Sequence, residues 1–219
     1  MIAQNLISNT FAPLKTSDTG EESLTMMHVY HLKHLPIVNN EQLLGTISED
    51  NIMQHNLEEA IGSYSLTLSH AYVKDTDHVF EIMAKLAENK LTVIPVIDSE
   101  ENYLGLISME DLVLFYATSF SFKEPGSIVV LEIEKNQYSL SEISNIVENE
   151  SGVILTSFLT QEDNKNLVCV TIKVNLQEIG AILKALERYD YRIKASFTES
   201  EYFDDLKDRY DSLMTYLNV

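Results

Sequence analysis

Tryptophan is absent from this chain, cysteine occurs once, and glycine and proline number only 7 and 4 among 219 residues. A single cysteine, Cys169, excludes an intrachain disulfide and any cysteine-built zinc site, and its Val-Cys-Val setting reads as strand packing. The few glycines form no phosphate-cradling loop of the Walker or dinucleotide type. Cations are short as well: 15 lysines and arginines stand against 34 carboxylates, a formal net charge of −19. That balance excludes the cationic footprint that nucleic acid or an anionic membrane requires. All three arginines, Arg188, Arg192 and Arg209, lie beyond residue 180, so residues 1–120 carry only Lys15, Lys33, Lys74, Lys85 and Lys90. No apolar run approaches the roughly 18 residues of a membrane span. The start, Met1-Ile2-Ala3-Gln4-Asn5-Leu6, lacks the basic and long apolar parts of a secretory signal. No Ser/His/Asp order with nucleophile-elbow glycines occurs. The expectation is a non-catalytic, cytoplasmic globular protein.

What is present is a repeat. His34-Leu35-Pro36-Ile37-Val38 leads to Gly45-Thr46-Ile47-Ser48, and Val93-Ile94-Pro95-Val96-Ile97 leads to Gly105-Leu106-Ile107-Ser108. Two copies of one unit that bury a shared face follow from such a repeat. The first copy opens with a helical stretch around Ile2–Ile7 and an extended piece near Pro13–Thr16. Asp18-Thr19-Gly20-Glu21 then caps a helix. A hairpin of Leu35–Val38 and Leu43–Ser48 and a helix over Glu49–Glu59 complete it. In the second copy Leu66–Val73 reads as a strand, and Asp75-Thr76-Asp77 as the cap of a helix burying Val79, Ile82, Met83 and Leu86. Thr92–Ile97 and Tyr103–Ser108 form its hairpin and Glu110–Thr118 its closing helix. The unit is β-α-β-β-α, twice.

Lys123-Glu124-Pro125-Gly126 breaks the pattern and reads as a linker. Beyond it the periodicities give a strand (Ile128–Ile133), a helix through Leu140, Ile143, Ile146 and Val147, and strands Val153–Thr160 and Leu167–Val174. A helix through Ile179, Ile182, Leu183 and Leu186 and a strand Tyr191–Phe197 follow. The order β-α-β-β-α-β is the ferredoxin-like arrangement. In the tail, Phe203, Leu206, Tyr210, Leu213 and Leu217 have coiled-coil spacing, too short to stand alone. The domains expected are 1–61, 62–122 and 126–198, with a terminal helix over 199–219. The fold class is α+β.

The doubled unit resembles the CBS domain, whose tandem pairs form Bateman modules packed about a pseudo-twofold axis. The resemblance rests on Leu35-Pro36-Ile37-Val38 with Gly45-Thr46-Ile47-Ser48-Glu49-Asp50-Asn51, and on Ile94-Pro95-Val96-Ile97-Asp98 with Gly105-Leu106-Ile107-Ser108-Met109-Glu110-Asp111. It implies an adenosyl ligand between the repeats, held by a Ser or Thr and an Asp three residues later. A hydroxyl and helix-start N–H groups suit phosphate, and a first-turn carboxylate suits ribose hydroxyls. Ser108 and Asp111 keep this pattern. Ser48 is followed by Asn51, so that half-site is weaker. By analogy with the family, Ser108 and Asp111 face Asp18 and the small Ser23, whereas Ser48 and Asn51 face Asp77 and the bulkier Ile82. The bland reading of both Ser-x-x-Asp/Asn pairs is an ordinary helix cap. Residues 1–120 hold 17 carboxylates and 5 lysines, net −12, so AMP, adenosine or S-adenosylmethionine is favoured over ATP.

Residues 126–198 resemble an ACT-type regulatory domain, though the loop Asn136-Gln137-Tyr138-Ser139 lacks the glycine usual in amino-acid-binding members. A dimerising role is favoured there. The combination is similar to the acetoin-utilisation protein family. A homodimer and an effector protein are the partners implied, and a ligand-free dimerisation scaffold is the alternative. His28, His31, His34 and His55 read as surface or core-edge residues, with no metal site expected. Met26, Met27, Met53, Met83 and Met109 read as core.

Overall fold

In a computed structural model the chain is described at residues 1–8, 10–64, 68–161 and 166–198 and at Tyr216. It divides into two compact units, Met1–Tyr116 and Ala117–Val219. The expected terminal helix over 199–219 lies outside the described residues apart from Tyr216, which is helical.

The first unit contains both repeats apart from the last three residues of the closing helix. Repeat 1 comprises α1 (Gly20–Tyr30), β1 (His34–Asn39), β2 (Gln42–Ser48) and α2 (Glu49–Ile52). Repeat 2 comprises β3 (Val73–Lys74), α3 (Val79–Asn89), β4 (Val93–Ile97), β5 (Tyr103–Ser108) and α4 (Met109–Ser119). Their agreement is close. Leu14 bridges Ile37 in parallel as Val73 pairs with Val96. Both hairpins are antiparallel, with an irregularity after Ile37 in one and after Val96 in the other. α1 stops at left-handed His31 (φ 55°) and α3 at left-handed Lys90 (φ 53°). This is the usual way a helix satisfies its last carbonyls, here without glycine.

Several expectations need correction. The helix expected over Glu49–Glu59 ends at Ile52. The reason is tertiary: the carbonyls of Leu57 and Glu59 accept from the N–H groups of Glu21 and Gly20 at 3.1 and 3.2 Å. The segment therefore lies across the start of α1 and satisfies donors there instead of coiling. The cap of α3 is His78, whose Nδ1 accepts from Phe80 N–H, and not Asp77. The 3-10 turn Ala3–Asn5 belongs to repeat 2, because Ala3 sits in the core with Val73, Val79, Ile82 and Leu86. Of the strand expected over Leu66–Val73, Leu66 and Thr67 lie outside the described residues and only Val73 is in β3. Met27 is core, but Met53, Met83 and Met109 are 56%, 41% and 51% exposed. Their spacing put them on the outer faces of the helices, which hydrophobicity alone does not reveal.

The second unit comprises β6 (Ser127–Glu134), α5 (Leu140–Asn149), β7 (Ile154–Gln161), β8 (Leu167–Val174), α6 (Gly180–Arg188) and β9 (Arg192–Phe197). The sheet runs β7-β8-β6-β9, all neighbours antiparallel. Alternate residues Val129, Leu131 and Ile133 of β6 and Val168, Val170, Ile172 and Val174 of β8 pack under both helices. This is the ferredoxin-like order expected. The residues preceding β6 are strapped to the sheet: Thr156 Oγ1 donates to Phe120 O, and Lys173 Nζ donates to Ser121 O and Phe122 O, at 2.8, 2.6 and 3.2 Å.

Gly45 has φ 148°, and a Cβ there would meet Leu68 Cβ at 2.8 Å and Ser69 O at 3.1 Å. Gly45→Ala should lower stability by about 1–3 kcal/mol, read as a fall in the urea midpoint at constant slope.

Candidate functional site

Each repeat lends its entry segment to the other. Ser8 N–H donates to Leu106 O of β5 at 2.9 Å, while Thr46 of β2 and Ser69 exchange backbone bonds of 2.8 and 3.0 Å. The strand that ends at Ser108 thus runs beside the segment leading through Leu14 to Asp18 and Ser23. The strand that ends at Ser48 runs beside the segment leading to Asp77 and Ile82. Backbone bridges thus cross-connect the two repeats at Ser8–Leu106 and at Thr46–Ser69.

The side chains are more self-contained. Asp111 Oδ2 accepts from Ser108 N–H and from Ser108 Oγ–H, at 2.9 and 2.7 Å, and Asp111 N–H donates to Ser108 Oγ at 3.1 Å. This is a reciprocal cap at the start of the eleven-residue α4. Ser108 is 1% exposed and Asp111 is half-buried. Ser23 is fully buried and donates to Thr19 O. Asp18 accepts from Lys15 N–H at 2.8 Å, and Asp77 does the same for Lys74 at 3.0 Å, so both close the turn into their helix. Asp77 also lies 3.6 Å from Lys85 Nζ. Among the described residues no hydrogen bond joins Ser108 or Asp111 to Asp18 or Ser23.

The other half-site differs in kind. Ser48 Oγ accepts from Asn51 N–H at 3.2 Å, but α2 is a single turn. Ile82 is fully buried within the core of repeat 2. Asn51 Oδ1 and Thr46 Oγ1 are buried with no hydrogen-bond partner, and so is the hydroxyl of Tyr103 on β5. Burial raises the pKa of Tyr103. Thr46 was not singled out from sequence, although it shares the face of β2 that carries Ser48.

His34 joins the repeats. Its Nδ1 receives the backbone N–H of Thr92 at 3.2 Å and lies 3.1 Å from Thr92 Oγ1. That assignment makes Nδ1 an acceptor and the ring neutral. Burial lowers its pKa most; Asp50 opposes this and Lys33 adds to it. The other histidines do not converge on it: His28 lies 3.5 Å from Glu49, His31 terminates α1, and His55 Nδ1 lies 2.9 Å from Asn51 O. Among the described residues no group of three or more His, Cys, Asp or Glu is arranged to hold a metal. No helix among them is long and apolar enough to cross a membrane.

In the second unit a cavity of about 660 Å³ opens beside the loop that carries Gln137. Glu132, Glu134, Glu142 and Asp190 line it, and its Arg192 is held by Glu132 at 2.5 Å. Tyr191 donates to Glu142 at 2.8 Å, and burial together with that carboxylate pushes its pKa up to about 12. Such a lining offers little to the carboxylate of an amino acid.

The model of the CBS domain matches residues 4–58 and 66–118. This chain carries a tandem pair of CBS domains. A homoserine O-acetyltransferase of Methanococcus vannielii is 25% identical over 118 residues, 51% of this chain and 24% of that protein. The chain therefore spans about a quarter of that relative's length. A CBS-domain-pair/ACT-domain protein of Thermotoga maritima is similar in structure, with 19% identity and a TM-score of 0.48 over 54% of this chain and 99% of its own. CBSX2 in complex with AMP has 16% identity and a TM-score of 0.45 over 52% and 94%. The resemblance to the acetoin-utilisation family is not established by these matches.

A lowered His34 pKa means that the neutral ring stabilises the CBS pair above its ordinary value of 6.5, and that this contribution fades as pH falls through the folded value. Urea midpoints at pH 7.5 and pH 5 should show His34→Gln, which keeps an acceptor, losing less stability on acidification than the parent.

Proposed function

We propose that the chain is a non-catalytic regulatory sensor whose CBS pair takes an adenosyl ligand in the cleft of Ser108 and Asp111, with Asp18 and Ser23 on the facing side. The reciprocal loan of entry segments, Ser8 to Leu106 and Ser69 to Thr46, carries this reading. A cleft built from both repeats would let a ligand contact two halves and bias how they sit together. The Ser108 cleft is preferred over that of Ser48, Asn51, Asp77 and Ile82 because α4 is a full helix with a carboxylate in its first turn. The binding group is then Asp111, released from its cap to accept ribose hydroxyls.

Electrostatics favours AMP, adenosine or S-adenosylmethionine over ATP. The start of α1 has no spare donors for a polyphosphate: Gly20 and Glu21 N–H already serve Glu59 and Leu57 carbonyls, and the Glu22 carboxylate accepts from Thr19 N–H. No arginine lies in residues 1–120 to compensate. A homodimer in the cytoplasm, acting on an effector protein, completes the reading.

A ligand-free scaffold is the second reading. It is favoured by the local satisfaction of Ser108, Asp111, Asp18 and Ser23, and by exposed Phe80, Met83, Met109 and Val113 on α3 and α4. Met83, Met109 and Val113 line an apolar groove of about 380 Å³.

Thermal melts with AMP, adenosine, S-adenosylmethionine and ATP separate the two. A ligand at a hundred times its dissociation constant should add about 2.7 kcal/mol, several degrees for a chain of this size. Asp111→Ala should abolish that shift while costing the ligand-free protein only about 1 kcal/mol for the lost cap. No shift with any of the four supports the scaffold, and an unchanged shift in Asp111→Ala removes the assigned site.

A further inference from the structure

The residues just before β1 and β4 hold the starts of both closing helices. Glu49 N–H, the first of α2, donates to Lys33 O at 2.9 Å, and Met109 N–H, the first of α4, donates to Thr92 O at 3.0 Å. Lys33 and Thr92 occupy the same place in the two repeats, each three residues ahead of the strand proline, Pro36 or Pro95. Each repeat thus fastens its closing helix to one residue, and these two residues are bonded to each other: Lys33 N–H donates to Thr92 Oγ1 at 3.3 Å. His34 closes the knot. Its Nδ1 takes Thr92 N–H at 3.2 Å and lies 3.1 Å from Thr92 Oγ1, and register sets it opposite Ser48. Repeat 2 has Val93 at the corresponding position, so one ring serves both halves.

We propose that His34 is a proton-operated latch between the two closing helices: protonation at Nδ1 removes the acceptor of Thr92 N–H and loosens the starts of α2 and α4 together. A ring with hydrogen on both nitrogens has no lone pair left to receive a donor. Nδ1–H then turns to Thr92 Oγ1, which already serves Lys33 N–H, while Thr92 N–H, half-buried at the seam, loses its partner. The carbonyls of the same two residues carry Glu49 and Met109, so movement of Lys33 against Thr92 reaches both helix starts. The surrounding charges are few. α2 brings Asp50, which favours the charged ring, and Glu49, which lies 3.5 Å from His28 of α1. Burial opposes the charge, and so does Lys33 beside the ring. His31 and Lys90, which end α1 and α3, are exposed. β4 is apolar over Val93–Ile97; at the start of α4 Asp111 is engaged by Ser108, and Glu110 is exposed. The neutral ring therefore holds the latch closed at pH 7.5, and it opens below 6.5, the ordinary histidine value. The device needs no ligand and stands apart from the adenosyl reading.

Amide hydrogen exchange of the full chain, expressed as protection over the unfolded rate at each pH, tests the latch. From pH 7.5 to pH 5, α2 and residues 109–112 should each lose at least about tenfold in protection through local opening, while β6 and β8 of the second unit stay constant. His34→Gln keeps an acceptor and does not titrate, so its protection at both helix starts should stay level. No loss in the parent, a loss confined to one helix start, an equal loss in β6 and β8, or an equal loss in His34→Gln overturns the proposal. Where the variant does not fold, the parent decides by NMR. The His34 ring nitrogens and the amides of Thr92, Glu49 and Met109 should titrate with one midpoint, and amide midpoints that differ from that of the ring refute the latch.

Discussion

The crossed backbone pairing of the two repeats is the constraint on which the first unit depends. Without Ser8 on β5 and Ser69 on β2, each hairpin would present an open edge, and an unpaired edge is a liability in any sheet protein. The exchange also explains Gly45, since the incoming segment passes so near β2 that a Cβ would strike it. The hydrophobic core follows the same logic. Val93 and Leu106 of repeat 2 pack in the cluster of Leu14, Ile37 and Ile47, so the seam between repeats is part of the core and not a boundary. His34 and Thr92 then place a polar bond at that seam, where the cost of leaving either group unpaired is high.

The repeats have diverged around this shared frame. Repeat 2 keeps a full closing helix in α4, whereas repeat 1 uses the equivalent stretch to satisfy the start of α1. The divergence reaches the clefts. One retains a carboxylate at a helix start, already engaged by its own cap; the other has an amide and a threonine hydroxyl buried without partners. These are different energetic situations within one pair, and they follow from single residues, Asp111 against Asn51.

Much of the fold was legible because the information is local. The alternating apolar strands, the paired Leu-Pro-Ile-Val and Ile-Pro-Val-Ile segments and the helical spacing of Ile143, Ile146 and Val147 fix element types without reference to neighbours. The Ser-x-x-Asp cap at Ser108 was equally readable. What was not legible depended on contacts distant in sequence. The end of α2 is set by donors on α1, and the cap of α3 passes to His78 because the Asp77 carboxylate turns back to Lys74. The latter had a visible signal, since Asp18 stands in the same relation to Lys15. Met53, Met83 and Met109 misled because an apolar side chain on a helix does not declare which way it faces.

The loan of Ser8 to Leu106 has a consequence for biogenesis. The N-terminal segment leaves the ribosome long before its partner strand exists, and must wait for almost the whole of both repeats to be translated. During that interval Ala3 has no core to enter and β2 has no neighbour at Thr46. Closure of that edge therefore waits on synthesis through Leu106 and carries the loop-closure cost of a pairing distant in sequence.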